Sequence, residues 1–133
     1  MFELKRSEKI VEQIKLGDEI IEVNLDAGAI QTRFTKGYNE LLRAQNALNG
    51  ATSDTLDAVS DKLEQYGNAV VGVLQVIFGE ENTQKILAFY ENNYSEMFTQ
   101  IYPFIAEIII PKISEASKRK AEELKALYKG RKK

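Results

Sequence analysis

Leu56, Val59, Leu63, Tyr66, Val70, Val73 and Ile77 recur at alternating spacings of three and four residues, and the run stops just before Gly79. Side chains at those spacings share one face of an α-helix, so the stretch predicts an amphipathic helix with its seam against a core. Ser53 or Thr52 is placed to cap it, and Asp54 and Asp57 fall in the first turn, where the helix dipole favours acidic groups. The polar face, Asp61, Lys62 and Glu64, disappears after Asn68, and from Ala69 to Phe78 nearly every residue is apolar or small. That half should be buried on most sides. The seam is too short for a dedicated coiled coil and points to an intramolecular helix bundle.

Gly79 can take a positive φ without a Cβ penalty, so the helix is expected to end there. Glu80, Glu81, Asn82 and Thr83 suit the start of a following helix over about 81–91, with Ile86, Leu87, Phe89 and Tyr90 as its apolar side. Asn92-Asn93 should break it, and Ser95 or Asn93 can cap a last helix from about Tyr94 to Tyr128. Pro103 and Pro111 lie inside that helix; each removes a hydrogen bond and crowds the preceding turn, so kinks are expected near both. Its apolar set is Met97, Phe98, Ile101, Phe104, Ile105, Ile108, Ile109 and Ile113. Beyond Ile113 only Ala116, Leu124 and Leu127 continue the stripe.

Upstream, Ile10, Val11, Ile14 and Leu16 precede Gly17-Asp18, and Ile20, Ile21, Val23 and Leu25 follow, with Glu22 and Asn24 alternating between the apolar residues. This period of two predicts a hairpin, about 11–15 and 19–25, with Gly17 supplying the positive φ of a tight turn. Two strands alone are marginal in water, so the hairpin must pack on helices or pair with another chain. Asp26 can cap a helix to about Leu48 with Ile30, Phe34, Tyr38, Leu41 and Leu48 as its stripe, weakened by Gly28 and Gly37. The expected fold is mainly α (α+β): a short N-terminal β-hairpin (9–25), then a bundle of about four helices, the last long and kinked by proline. Residues 1–117 form one domain on this reading, and 118–133 a basic tail, helical or frayed.

The chain's 133 residues hold no cysteine and no histidine. That removes disulfides, thiolate nucleophiles, the commonest general base and the commonest transition-metal ligand. Asp54, Asp57, Asp61 and Glu64 share a helix face and could hold a hard cation, but beside Lys62 they read as a solvated surface. There is no glycine-rich phosphate loop. Neither an enzyme, a cofactor nor a metal is expected. Apolar runs such as Ile108 to Pro111 are far shorter than the roughly 20 residues that cross a bilayer, and Met1 to Arg6 lack the apolar stretch of a secretory signal. The net charge of −2 conceals an asymmetry: residues 1–117 carry 10 basic and 18 acidic side chains, residues 118–133 carry 8 and 2. Such a tail reads first as a solvated helix end whose charge suits the dipole, and second as a site for nucleic acid or an acidic surface. The aromatic concentration around the helix break is core or, where exposed, an anchor for a partner.

Three stretches together resemble the tail assembly chaperones of long-tailed (siphovirus-type) bacteriophages and prophages of Gram-positive bacteria. They are the hairpin segment Lys15-Leu16-Gly17-Asp18-Glu19-Ile20-Ile21-Glu22-Val23, the helix from Phe34 to Leu42, and Val76-Ile77-Phe78-Gly79-Glu80-Glu81-Asn82-Thr83 with the apolar helix Tyr94 to Ile113 behind it. Asn82 stands where that family often has glycine, and the basic extension has no counterpart in the pattern. The resemblance implies a non-enzymatic helical protein that binds and solubilises the tape measure protein during tail morphogenesis. It further implies contact with the tail tube protein, self-association, and residence in the bacterial cytoplasm rather than in the mature virion or a membrane. Candidate partner-binding residues are Phe78, Phe89, Tyr90, Tyr94, Phe98, Ile101, Tyr102, Phe104, Ile105 and Ile108. The alternatives are a structural minor tail or head-tail connector protein, and a small nucleic-acid-associated regulator using 118–133.

Overall fold

The computed structural model describes residues 1–4, 9–51 and 55–131; in it a β-hairpin leads into helices that make up most of the chain. Strands β1 (Lys9–Leu16) and β2 (Glu19–Asp26) pair antiparallel, with Leu16 opposite Glu19 and Lys9 opposite Asp26. Of the two linking residues only Gly17 has a positive φ, 62°. That is the pattern of a type II′ turn, whose twist suits the flanking strands. Ile21, Val23 and Leu25 face the helices, while Val11 and Ile20 face solvent. The hairpin is held by helical residues: Asn82 Nδ2 donates to the Glu22 carbonyl (3.5 Å), Lys85 pairs with Glu19 (2.7 Å) and Lys112 with Glu12 (3.1 Å).

Helix α1 spans Ala27–Asn49, and the Asp26 carboxylate accepts from the Ala29 amide at 3.1 Å, as the sequence predicts. Helix α2 spans Leu56–Phe89. Its cap is Thr55, whose Oγ1 accepts from the Ala58 amide at 3.3 Å. This corrects the expectation of Thr52 or Ser53, which with Asp54 lie outside the described residues. Gly79 divides α2 into arms 56–78 and 80–89 with φ 78° and ψ 168°, a combination that essentially only glycine adopts. The expected break is there, as a one-residue hinge. Thr83 does not cap the second arm by accepting an amide. It is fully buried, and its hydroxyl donates to the Gly79 carbonyl at 2.6 Å, satisfying the group that the break would leave short of a partner.

Beyond the hinge the chain returns along the first arm. Glu91 and Asn92, with positive φ, end α2, and Asn93 caps α3 (Tyr94–Phe104) by accepting from the Glu96 amide at 3.2 Å. Tyr94 packs against Gly67, and Phe104 stacks on Phe78, so α3 runs parallel to the first arm of α2.

A single π turn, Ile105–Ile109, lies between Pro103 and Pro111, and α4 (Ile110–Arg131) follows. Two features explain it. Pro111 has no amide to donate, and its ring would crowd the Glu107 carbonyl of a regular α-turn; Glu107 lies within the wide turn. Ile101, Ile105, Ile109 and Ile113 also repeat every four residues, which drifts about 40° per step around an α-helix. One wide turn resets the phase, and all four are buried.

The core joins Ile21, Val23 and Leu25 to Ile30, Phe34 and Leu41 of α1, Val70 to Phe78 of α2, Ile86 and Leu87 beyond the hinge, and the isoleucine row. The first turns of α2 depart from expectation. Leu56 (88% exposed) and Leu63 (45%) lie on the seam yet are exposed, because α3 begins level with Gly67 and only the turn 92–95 borders Leu63 among the described residues of α3 and its approach; Val59, between them, is half-buried.

Candidate partner-binding site

Four of the ten candidate residues are core. Phe78, Phe98, Ile101 and Ile105 are buried; Phe78 stacks on Phe104 (6.1 Å between centroids), and Phe98 meets Tyr66 edge-on (6.5 Å). They stabilise the bundle and are not presented to a partner in this conformation. Tyr90, Tyr94 and Phe104 are half-buried against that core, and Ile108 is half-buried. Only Phe89 (51% exposed) and Tyr102 (40%) present large apolar surface. Phe89 lies at the end of α2 against the Gly17 turn, whereas Tyr102 lies on α3 beside Phe98 and Tyr38. The ten residues therefore make no single surface.

Tyr102 does neighbour, through Tyr38, a surface that the break itself did not indicate. An apolar groove of about 340 Å³ runs between α1 and α4, lined by Phe34, Tyr38, Ile110 and Ile113, with Thr35, Asn39 and Ser114 on its rim. Phe34 and Tyr38 stack at 5.7 Å, one turn apart on α1. The Tyr38 hydroxyl titrates above its ordinary value, first because it is buried and then because the Tyr102 hydroxyl lies beside it. Gln31 Nε2 donates to Ser117 Oγ (2.9 Å) across the other end. Two aromatics, an isoleucine edge and a polar latch at one end suit the apolar face of a helix laid between α1 and α4. The signal is present in the sequence as the Ile30–Phe34–Tyr38 stripe, whose spacing does not tell a groove from a core.

Asp57, Asp61 and Glu64 form a solvated face, and among the described residues no cluster of three or more acidic side chains is arranged to hold a metal ion. No helix of the described residues is long and apolar enough to cross a membrane. Comparisons with protein-family models, with curated proteins and with solved structures return no match to this chain.

Proposed function

We propose that this protein is a non-enzymatic assembly chaperone that holds a long helical partner in solution. The partner suggested by the phage-tail resemblance is the tape measure protein, bound in the host cytoplasm before tail tube subunits cover it. The observation that carries this reading is the groove between α1 and α4. Its apolar floor, Phe34 and Ile113, lies between half-open walls, Tyr38 and Ile110, and it accepts a helix without disturbing the core. The acidic balance of residues 1–117 keeps a chain with such a surface soluble. Co-expression with a tape measure fragment tests it. The fragment should move from the insoluble to the soluble fraction and copurify with this protein; a fragment that stays insoluble removes the reading. A structural role in the virion predicts instead that the protein is found by mass spectrometry in purified particles.

A further inference from the structure

Two helices carry their apolar seams past the body, at opposite ends of it. In α4, Leu124 follows Ile113 by eleven residues, almost three whole turns, so it continues the face that buries Ile109 and Ile113. From Lys118 to Lys129 every residue is exposed, and Leu124, Leu127 and Tyr128 are about half exposed or more. In α2, Leu56 and Leu63 continue the Tyr66–Val70 seam and are exposed in the same way, with Val59 between them half-buried. The α4 arm leaves beyond the start of α1, beside Lys9 and Gly28, whereas the α2 arm starts beyond the end of α1. The 23 residues of α1 hold them roughly 35 Å apart. One chain cannot bring its own two seams together.

Their charges are complementary. Lys118, Arg119, Lys120, Lys125 and Lys129 outnumber two glutamates on the α4 arm, while Asp57, Asp61 and Glu64 outnumber Lys62 on the α2 arm.

We propose that the α4 arm of one copy docks on the 56–66 seam of a second copy, covering Leu56 and Leu63 with Leu124, Leu127 and Tyr128. This goes beyond the chaperone reading and does not rest on it. The contact joins different patches on the two copies, so it is heterologous: each chain keeps one free arm and one free seam, and assembly continues as a row unless it closes. About three turns on each side bury less than a standard interface, so the association is weak and sensitive to salt.

Sedimentation velocity of the full chain in about 0.02 M and about 0.5 M salt tests this. In low salt the weight-average mass should climb from 15.1 kDa past the dimer as concentration rises, and in high salt it should fall back. Lys120→Glu/Lys125→Glu/Lys129→Glu on the arm, or Asp57→Lys/Asp61→Lys/Glu64→Lys on the seam, should each leave a monomer. Combined in one chain, the two reversals should restore association. An equimolar mixture of the two single-surface variants should associate again, as a row in which they alternate, because each variant's arm then meets a seam of opposite charge only on the other. Leu124→Gln/Leu127→Gln should abolish growth without changing charge. A wild-type chain that stays monomeric in low salt, growth that survives either charge reversal, or a monomer whose arm binds duplex DNA instead would overturn the proposal.

Discussion

The ring of Tyr94 occupies the space that a side chain at position 67 would need: a Cβ built on Gly67 comes to 2.6 Å from Tyr94 Cδ2 and 3.1 Å from its Cγ. Those atoms include the base of the ring, so relief requires moving the start of α3. Gly67→Ala should destabilise by about 1–3 kcal/mol, the usual cost of overpacking, although alanine favours helix. Gly72, on the same helix, has nothing within 4 Å of a Cβ. Gly72→Ala should instead stabilise by roughly 0.5–1 kcal/mol. Urea unfolding of the pair separates close packing from helix propensity.

The Gly79 hinge depends on backbone freedom and on one hydroxyl. A Cβ at Gly79 meets no atom within 4 Å, so any cost of Gly79→Ala is backbone strain, roughly 1–3 kcal/mol. Thr83→Val keeps the shape and removes the bond to the Gly79 carbonyl, with an expected loss of about 1 kcal/mol. The two losses should not add fully, because both report on the same break.

One seam, two environments, gives a third test. Ile77 is 1% exposed and Leu56 is 88% exposed. Ile77→Asp places an unpaired carboxylate in the core at a cost of several kcal/mol, enough to unfold a domain whose total stability is roughly 5–15 kcal/mol. Leu56→Asp should leave the thermal midpoint nearly unchanged. Circular dichroism melting of both variants checks the assignment of core and free seam.

That contrast marks how far the sequence could be read. The apolar run Val70–Phe78, the hairpin register and the Asp26 cap follow from local patterns and local chemistry, and the structure has them. Exposure of Leu56 and Leu63 depends on where α3 begins after the return from Gly79, a tertiary distance that no periodicity encodes. The π turn was hidden because it answers Pro111 and the four-residue isoleucine repeat together, and neither alone distinguishes it from a kink. The groove was hidden because Phe34 and Tyr38 have the spacing of any core stripe.

Stability should be lost at high pH, with no step near neutrality from histidine, since the chain has none. Burial raises the pKa of Tyr66 and Tyr38; burial, then the nearby Glu96 carboxylate, raises that of Tyr90; and the hydrogen bond to Glu19 raises that of Lys85. A folded-state pKa above the unfolded one gives a contribution that is complete below the unfolded pKa and lost as pH rises through the folded one. With reference values of 10.0 for tyrosine and 10.5 for lysine, the thermal midpoint should hold to about pH 10 as far as these groups govern it, then fall. Tyrosinate absorbance should show Tyr38, Tyr66 and Tyr90 ionising late, together with the loss of helical signal.

The helix-holding groove is tested most directly by fluorescence anisotropy of a labelled helical tape measure peptide, titrated with the wild-type chain and with Thr35→Arg/Ser114→Arg. Both positions are exposed on the rim of the groove, so the arginines obstruct it without entering the core. Saturable binding to the wild-type chain, weakened at least about tenfold by the rim variant (1.4 kcal/mol or more), is the predicted result. Equal binding by both proteins, or none by the wild-type chain, would contradict it.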